Sequence, residues 1–132
     1  LVLADASAQE RQRWASPSLR VVSRRVGLQD ALAHADALLC YAGHSTVCAA
    51  AVAGKPMVLV PRDFEQTMTA LHAVRHGLAA VPRWDTPHPI ASALASLLGD
   101  PRLARARTAF ADRPRPAGTQ TMQRLAERIA SF

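Results

Sequence analysis

The sequence predicts an α/β fold in which an open parallel sheet carries helices on both faces. Short apolar runs typical of buried strands alternate with longer runs rich in alanine and leucine that are typical of helices. Glycine and proline stand at the borders between the two kinds of run. Because consecutive parallel strands need a crossover between them, this alternation indicates parallel rather than antiparallel pairing.

Four apolar segments are predicted to be strands. The first, residues 1–4, has no cap or glycine-rich loop before it, so we expect the chain to begin at the second strand of its domain. Residues 35–40 are predicted to be a strand buried on both faces, and residues 55–61 a second buried strand with a proline at each border. Residues 78–81 make the last short strand, before a further proline.

Helices are predicted after each of the three later strands. Glycine ends the first two of them, since it adopts the left-handed conformation that closes many helices. A Gly-Asp-Pro turn separates the next two, and a linker rich in proline and arginine precedes the last. The predicted helices are residues 47–53, 66–76, 89–98, 102–110 and 119–132, with the linker at 112–118.

The most informative segment is the turn Cys-Tyr-Ala-Gly-His-Ser-Thr at residues 40–46, between a strand and a helix. Gly43 lets a ligand approach the backbone, and Ser45 and Thr46 are expected to cap the helix. The free N–H groups and the positive end of the helix dipole then favour an anion. The alternative is a strand-to-helix turn that binds nothing.

A polar loop, residues 62–66, follows the next strand. Both this loop and the turn at 40–46 are therefore expected at the carboxyl edge of the sheet, where ligands bind in open parallel sheets.

In the order and spacing of these residues the chain resembles the C-terminal, donor-binding half of nucleotide-sugar glycosyltransferases with the two-Rossmann-domain B fold. The match is closest to the natural-product and macrolide branch and covers roughly residues 20–81. Its segments follow the family pattern one after another. They are Val26-Gly27-Leu28, Ala31-Leu32, Asp36, the turn at 40–46, Gly54-Lys55-Pro56, Val58-Leu59-Val60-Pro61 and Glu65-Gln66.

The resemblance implies that the turn holds the donor diphosphate. Gly43, His44, Ser45 and Thr46 would bind it through backbone N–H groups and a hydroxyl. Tyr41 stands where the family usually has a phosphate-binding histidine. Either the Tyr41 phenol or the His44 imidazole would therefore supply that contact.

The resemblance also implies where the rest of the donor lies. Glu65 and Gln66 would bind sugar hydroxyls, with Glu65 replacing the commoner aspartate. Val26 and Leu28 would flank the nucleobase and ribose. Ala49 occupies the place where plant members carry a ribose-binding glutamate, so the ribose contacts are left unassigned.

On this resemblance the chain is one incomplete half of an inverting, metal-independent hexosyltransferase that needs no cofactor. A UDP- or dTDP-sugar would be the donor, and a small molecule or lipid the acceptor. At 132 residues the chain has roughly a third of the length that two such domains need. The acceptor and the catalytic base are expected in a missing upstream domain. No residue of this chain is therefore expected to be catalytic, and the chain alone is expected to be inactive.

Two alternative functions are a nucleotide-sugar 2-epimerase-like domain and a non-enzymatic Rossmann-like binding or regulatory module.

The charge and residue composition limit the classes of partner that the chain is expected to bind. The net charge is +6, but the arginines are scattered and few aromatic side chains are present to stack on bases, which argues against nucleic acid. The longest apolar runs are too short for a membrane span and the first residues do not form a signal peptide, so we expect a cytoplasmic protein. A positive face could still attract a membrane surface, although nothing in the sequence supports this further.

The cysteines and a histidine pair are interpreted as structural. Cys40 and Cys48 lack the spacing of metal ligands and are expected to pack as small apolar residues. His72 and His76 are one helical turn apart, and we expect them to be solvated or to cap the helix end rather than to bind metal.

Overall fold

The computed structural model describes residues 2–3, 7–19, 21–22 and 26–114. The chain divides into two compact units, residues 1–36 and residues 37–132. The predicted C-terminal helix and most of the linker before it lie outside the described residues, so both remain predictions.

The first unit contains a two-stranded parallel sheet and two short helices. Val2 and Leu3 pair with Val21 and Val22. The strand at Val2–Leu3 falls within the segment predicted from the sequence, whereas the second strand and both helices were not predicted. The elements are β1 (Val2–Leu3), α1 (Ala8–Trp14), β2 (Val21–Val22) and α2 (Leu28–Ala33).

Helix α1 begins at a reciprocal cap that is readable in the sequence. The Ser7 N–H group donates to Glu10 Oε2 at 2.8 Å, and the Glu10 N–H group donates to Ser7 Oγ at 3.2 Å. The Ser7 backbone bond lowers the pKa of the Glu10 carboxyl below its usual value. Ser-x-x-Glu is the pattern that announces such a start, and it was the signal for α1 that the sequence analysis passed over.

The second unit confirms the predicted fold class: a parallel sheet surrounded by helices. Strand order follows chain order, with Leu39 opposite Val58 and Val58 opposite Ala80. The elements are β3 (Leu38–Cys40), α3 (His44–Val52), β4 (Met57–Leu59), α4 (Phe64–Arg75), β5 (Ala79–Ala80), α5 (Pro89–Gly99) and α6 (Pro101–Ala111).

The core of this unit lies on both faces of β4. Val58 packs with Ala93 and Leu97 of α5, and all three side chains are buried. Because strand side chains alternate, Met57 and Leu59 project from the opposite face, and both are fully buried as well. Burying a side chain of this size contributes about 1.5–3 kcal/mol. Both faces of the central strand are therefore covered, as the sequence predicted for this segment.

Strand β3 differs from its prediction. It was expected to be buried on both faces, yet Leu39 is 53% exposed. Leu39 shares a face with Val58 and Ala80, but α5 packs on β4 and β5, and β3 is an edge strand of this sheet. An apolar run in the sequence shows that a segment is a strand, but coverage of its faces depends on where the neighbouring helices lie.

Candidate functional site at the carboxyl edge of the sheet

Strands β3 and β4 end side by side. The Val60 N–H group donates to the Cys40 carbonyl oxygen at 2.9 Å, so pairing continues to the last residue of β3. The chain then leaves the sheet at Tyr41 on one side and at Arg62, just after Pro61, on the other. Both loops therefore start from the same edge of the sheet, as the sequence predicted for the turn and the polar loop.

The turn after β3 places its unusual backbone at Ala42 rather than at Gly43. Ala42 has φ of 66° and is fully buried, whereas Gly43 has φ of −59°. A Cβ built on Gly43 would meet nothing within 4 Å. Neither the backbone conformation at Gly43 nor close packing around it therefore requires a glycine. Its absent side chain leaves open space in front of the helix that follows.

Helix α3 begins earlier than predicted, and its caps differ. Gly43 is the N-cap residue and makes no side-chain cap hydrogen bond, and His44 is the first helical residue. The expectation that Ser45 and Thr46 cap the helix is wrong, because both lie inside its first turn. The first N–H groups of a helix have no partner within it. Within the described part of the chain no side chain caps the N–H groups of His44, Ser45 and Thr46, and the positive end of the helix is left open there.

An arginine that the sequence analysis did not single out lies over Tyr41. The Arg62 guanidinium carbon is 5.1 Å from the centroid of the Tyr41 ring, within the range of a cation–π contact. Tyr41 is 57% exposed and Arg62 is also exposed. The available signal was the position of Arg62 directly after a strand-ending proline, next to the strand that leads into the turn.

The loop after β4 is shorter than predicted. Helix α4 begins at Phe64, because Asp63 is its N-cap and accepts from the Gln66 N–H group at 2.8 Å. Glu65 and Gln66 therefore lie in the first turn of the helix and not in the loop. The Gln66 Oε1 atom accepts from the Arg62 N–H group at 2.9 Å. Gln66 thus has its amide NH₂ group left to donate to a ligand, and the exposed Glu65 carboxylate remains an acceptor.

A groove extends from this edge between α3 and α4. Its volume is about 670 Å³, and its lining includes His44, Cys48, Phe64, Glu65 and Met68. Phe64 is 81% exposed, so the mouth of the groove is apolar.

Cys48 is exposed. The expectation that it packs as a small apolar residue is therefore wrong. The Cys48 Sγ atom lies 3.6 Å from His44 Nε2, one helical turn back.

Two of the predicted residues belong to the other unit. Val26 precedes α2, Leu28 is its first residue, and both are half-buried. The helix starts after the Gly27 N-cap. The nucleobase role of Val26 and Leu28 stays a prediction, as do the diphosphate and sugar roles of the residues in the second unit.

The described part of the chain contains neither a cluster of metal ligands nor a helix that could span a membrane. Among the described residues, no group of three histidine, cysteine or acidic side chains is arranged to hold a metal ion. None of the described helices is long and apolar enough to cross a membrane. Metal independence, the lack of a cofactor and the cellular location remain expectations.

Comparison with protein families and solved structures gives consistent matches. The family model described as "Glycosyltransferase family 28 C-terminal domain" matches residues 5–129. The glycotransferase of kitacinnamycin is 25% identical and matches 72% of this chain and 25% of its own, with a TM-score of 0.63. No curated protein matches the chain.

Two spinosyn enzymes share the fold at lower identity. For the forosaminyltransferase SpnP the identity is 22%, the TM-score 0.72, and the match covers 88% of this chain and 32% of that one. For the rhamnosyltransferase SpnG the identity is 19% and the TM-score 0.62, and the match covers 80% of this chain and 30% of that one. The chain therefore spans between a quarter and a third of the length of these solved structures.

Proposed function

Because this chain belongs to the family of glycosyltransferase family 28 C-terminal domains, we propose that it binds the nucleotide-sugar donor of a glycosyltransferase. The family match confirms the resemblance found in the sequence. The donor would be a UDP- or dTDP-sugar, and transfer of the hexose would be inverting and metal-independent. The acceptor would be a small molecule or a lipid held by a second domain, since the chain matches only 25% of the kitacinnamycin glycotransferase.

The observation that carries the proposal is the open start of α3. Among the described residues no side chain caps its first N–H groups, and a Cβ built on Gly43 would meet no neighbouring group within 4 Å. A helix start of this kind favours an anion, and a nucleoside diphosphate supplies one. Arg62 and Tyr41 lie at the same edge of the sheet. Glu65 and Gln66, at the start of α4, would bind the sugar beyond the diphosphate.

Titration of the 132-residue chain with UDP and dTDP, followed by the chemical shifts of backbone amides, tests the binding site. We expect a Kd on the order of 0.1–10 mM, because part of the pocket is contributed from elsewhere. Shifts should concentrate at Gly43, His44, Ser45 and Thr46. Shifts confined to scattered arginines, or no binding at all, would contradict the proposal and favour a non-enzymatic module.

A second experiment tests the reaction in the full-length protein. Glu65→Ala should lower sugar transfer while leaving the Kd for free UDP nearly unchanged, because Glu65 is proposed to contact the sugar and not the diphosphate. The 132-residue chain alone should transfer no sugar, since orientation of the acceptor and removal of its proton require groups from the other domain. Glycosylation of an acceptor by this chain alone would overturn the half-enzyme proposal.

A further inference from the structure

From the cation–π contact of Arg62 with Tyr41 we infer that Arg62 is the cation that binds the donor diphosphate, and that Tyr41 positions it. The inference rests on the proposed function and goes beyond the roles drawn from the family pattern, in which a histidine stands at position 41. Here a neutral ring occupies that position, and the positive charge comes from the neighbouring strand end.

The backbone of Arg62 is held on both sides. Pro61 precedes it with a restricted φ, and the Arg62 N–H group donates to Gln66 Oε1 at 2.9 Å. The Val60–Cys40 hydrogen bond of 2.9 Å holds the two strand ends together. Arg62 and Tyr41 therefore leave the sheet at matching positions, which brings the guanidinium to 5.1 Å from the ring centroid.

The charge of Arg62 is available to a ligand. Among the described residues the ion pair found is Arg83–Asp85, with 2.9 Å between Arg83 Nη2 and Asp85 Oδ2, and no carboxylate pairs with Arg62. The neighbouring Asp63 carboxylate accepts from the Gln66 N–H group. A guanidinium that lies over a ring still has its N–H donors for other acceptors, and two phosphate oxygens can accept them.

A histidine and an arginine at the diphosphate contact differ in the charge that they carry near neutral pH. An imidazole is charged only below a pKa near neutrality, whereas a guanidinium keeps its charge at all accessible pH values. In this chain the charge proposed for that contact is therefore carried by a guanidinium and not by an imidazole. The Tyr41 ring contributes by holding the guanidinium, and its phenol is not needed for that role.

Titrations of the full chain with UDP and with uridine test the inference. Arg62→Gln should weaken UDP binding about tenfold and leave uridine binding unchanged, since a charge-assisted phosphate contact contributes on this scale. Tyr41→Leu should weaken UDP binding about threefold to fivefold, the value of a partly exposed cation–π contact. Tyr41→Phe should bind UDP like the unmodified chain, because the ring is kept.

Arg83→Gln is the matched control. It removes an exposed arginine from the same unit, and it should not change UDP affinity. The double variant Tyr41→Leu/Arg62→Gln should bind UDP no more weakly than Arg62→Gln alone, because Tyr41 acts through Arg62. Amide spectra of each variant verify that the fold is kept.

The outcomes separate the two proposals. If the unmodified chain binds neither UDP nor dTDP, the proposed function fails. If it binds UDP and Arg62→Gln binds equally well, or weakens uridine as much as UDP, the role of Arg62 is wrong while the proposed function stands. Equal weakening by Tyr41→Phe and Tyr41→Leu would contradict the positioning role, because the phenol would then be the contact.

Discussion

At the amino edge of the β3–β4–β5 sheet the loops pack against α6, whereas at the carboxyl edge the loops leave Tyr41 and Arg62 exposed. Gly54 and Gly77 have φ of 66° and 70°, and a Cβ on Gly77 would lie 3.1 Å from Ala106 Cβ. Gly43, at the carboxyl edge, has φ of −59° and open space around it. The same residue type thus serves close packing at one edge and leaves room for a ligand at the other.

Polar groups show the same contrast. Arg107 of α6 is 7% exposed, and its guanidinium donates to the Leu97 carbonyl oxygen at 3.2 Å, near the end of α5. Arg62 is exposed and lies over a half-exposed ring. A buried arginine that donates to a carbonyl stabilises a helix end, while an exposed arginine without a carboxylate partner is available to an anion. The amino edge is therefore the more closely packed of the two, and the carboxyl edge is the one at which binding is proposed.

The largest effect is expected at the closed edge. Gly77→Val should lower the free energy of unfolding by about 3 kcal/mol, because a branched side chain is strained at this positive φ and would crowd α6. Urea denaturation measures the loss. Gly99→Val is the control, since a Cβ there meets nothing within 4 Å. A Gly77 variant as stable as the Gly99 variant would contradict close packing of this edge.

Two buried alanines form the next test. Ala50 lies within α3 and Ala42 in the turn before it, and both are fully buried. Ala50→Gly should cost about 1.5–2 kcal/mol, the sum of lost helix propensity and a lost methyl. Ala42→Gly should change stability by less than about 0.5 kcal/mol, because relief at φ of 66° offsets the methyl. Equal losses by thermal unfolding would show that the left-handed residue is not strained.

A smaller loss is expected for the start of α4. Gln66→Ala should cost about 1 kcal/mol, because the Arg62 N–H group loses its acceptor. Gln66→Glu keeps an acceptor oxygen beside the positive end of the helix, so its free energy of unfolding should stay within about 0.5 kcal/mol of the unmodified chain. Denaturation of the two variants side by side makes the comparison. An equal loss in both would mean that this hydrogen bond does not stabilise the helix.

At the open edge, Gly43→Ala should change stability by less than about 0.5 kcal/mol yet weaken UDP binding roughly tenfold, since the new methyl occupies the space before α3. Thermal unfolding with and without UDP measures both quantities, because a ligand that binds only the folded state stabilises it by RT ln(1 + [L]/Kd). Unchanged UDP stabilisation in this variant would place the diphosphate elsewhere.

The smallest effect is expected in the alkylation rates of the two cysteines, Cys40 and Cys48. Burial raises the pKa of the Cys40 thiol above its usual value, partly offset by a bond to Ala42, whereas Cys48 is exposed. Less Cys40 is therefore thiolate near pH 8, and its alkylation by iodoacetamide should become appreciable at higher pH than that of Cys48. UDP should slow alkylation of Cys48, which contacts His44. Faster modification of Cys40 at pH 8 would contradict its burial.

Much of the second unit was predictable because its signals are local. The run at residues 57–59 and the glycines at 54 and 77 locate β4 and the ends of α3 and α4 without reference to the rest of the chain. The helix starts were less predictable. Helix α3 begins at His44 and α4 at Phe64, before the predicted starts at residues 47 and 66, because a helix start depends on where the preceding strand stops pairing.

The sequence by itself determined the alternation of strands and helices, the parallel sheet and the family to which the chain belongs, because periodicity, turn residues and motif order are carried by neighbouring positions. Only the tertiary structure decided that Leu39 is exposed, that Ala42 takes the left-handed conformation, and that Arg62 stacks on Tyr41. Positions 41 and 62 lie far apart in the chain. Their contact exists because two parallel strands end at the same level of one sheet, and no pattern within either segment specifies that register.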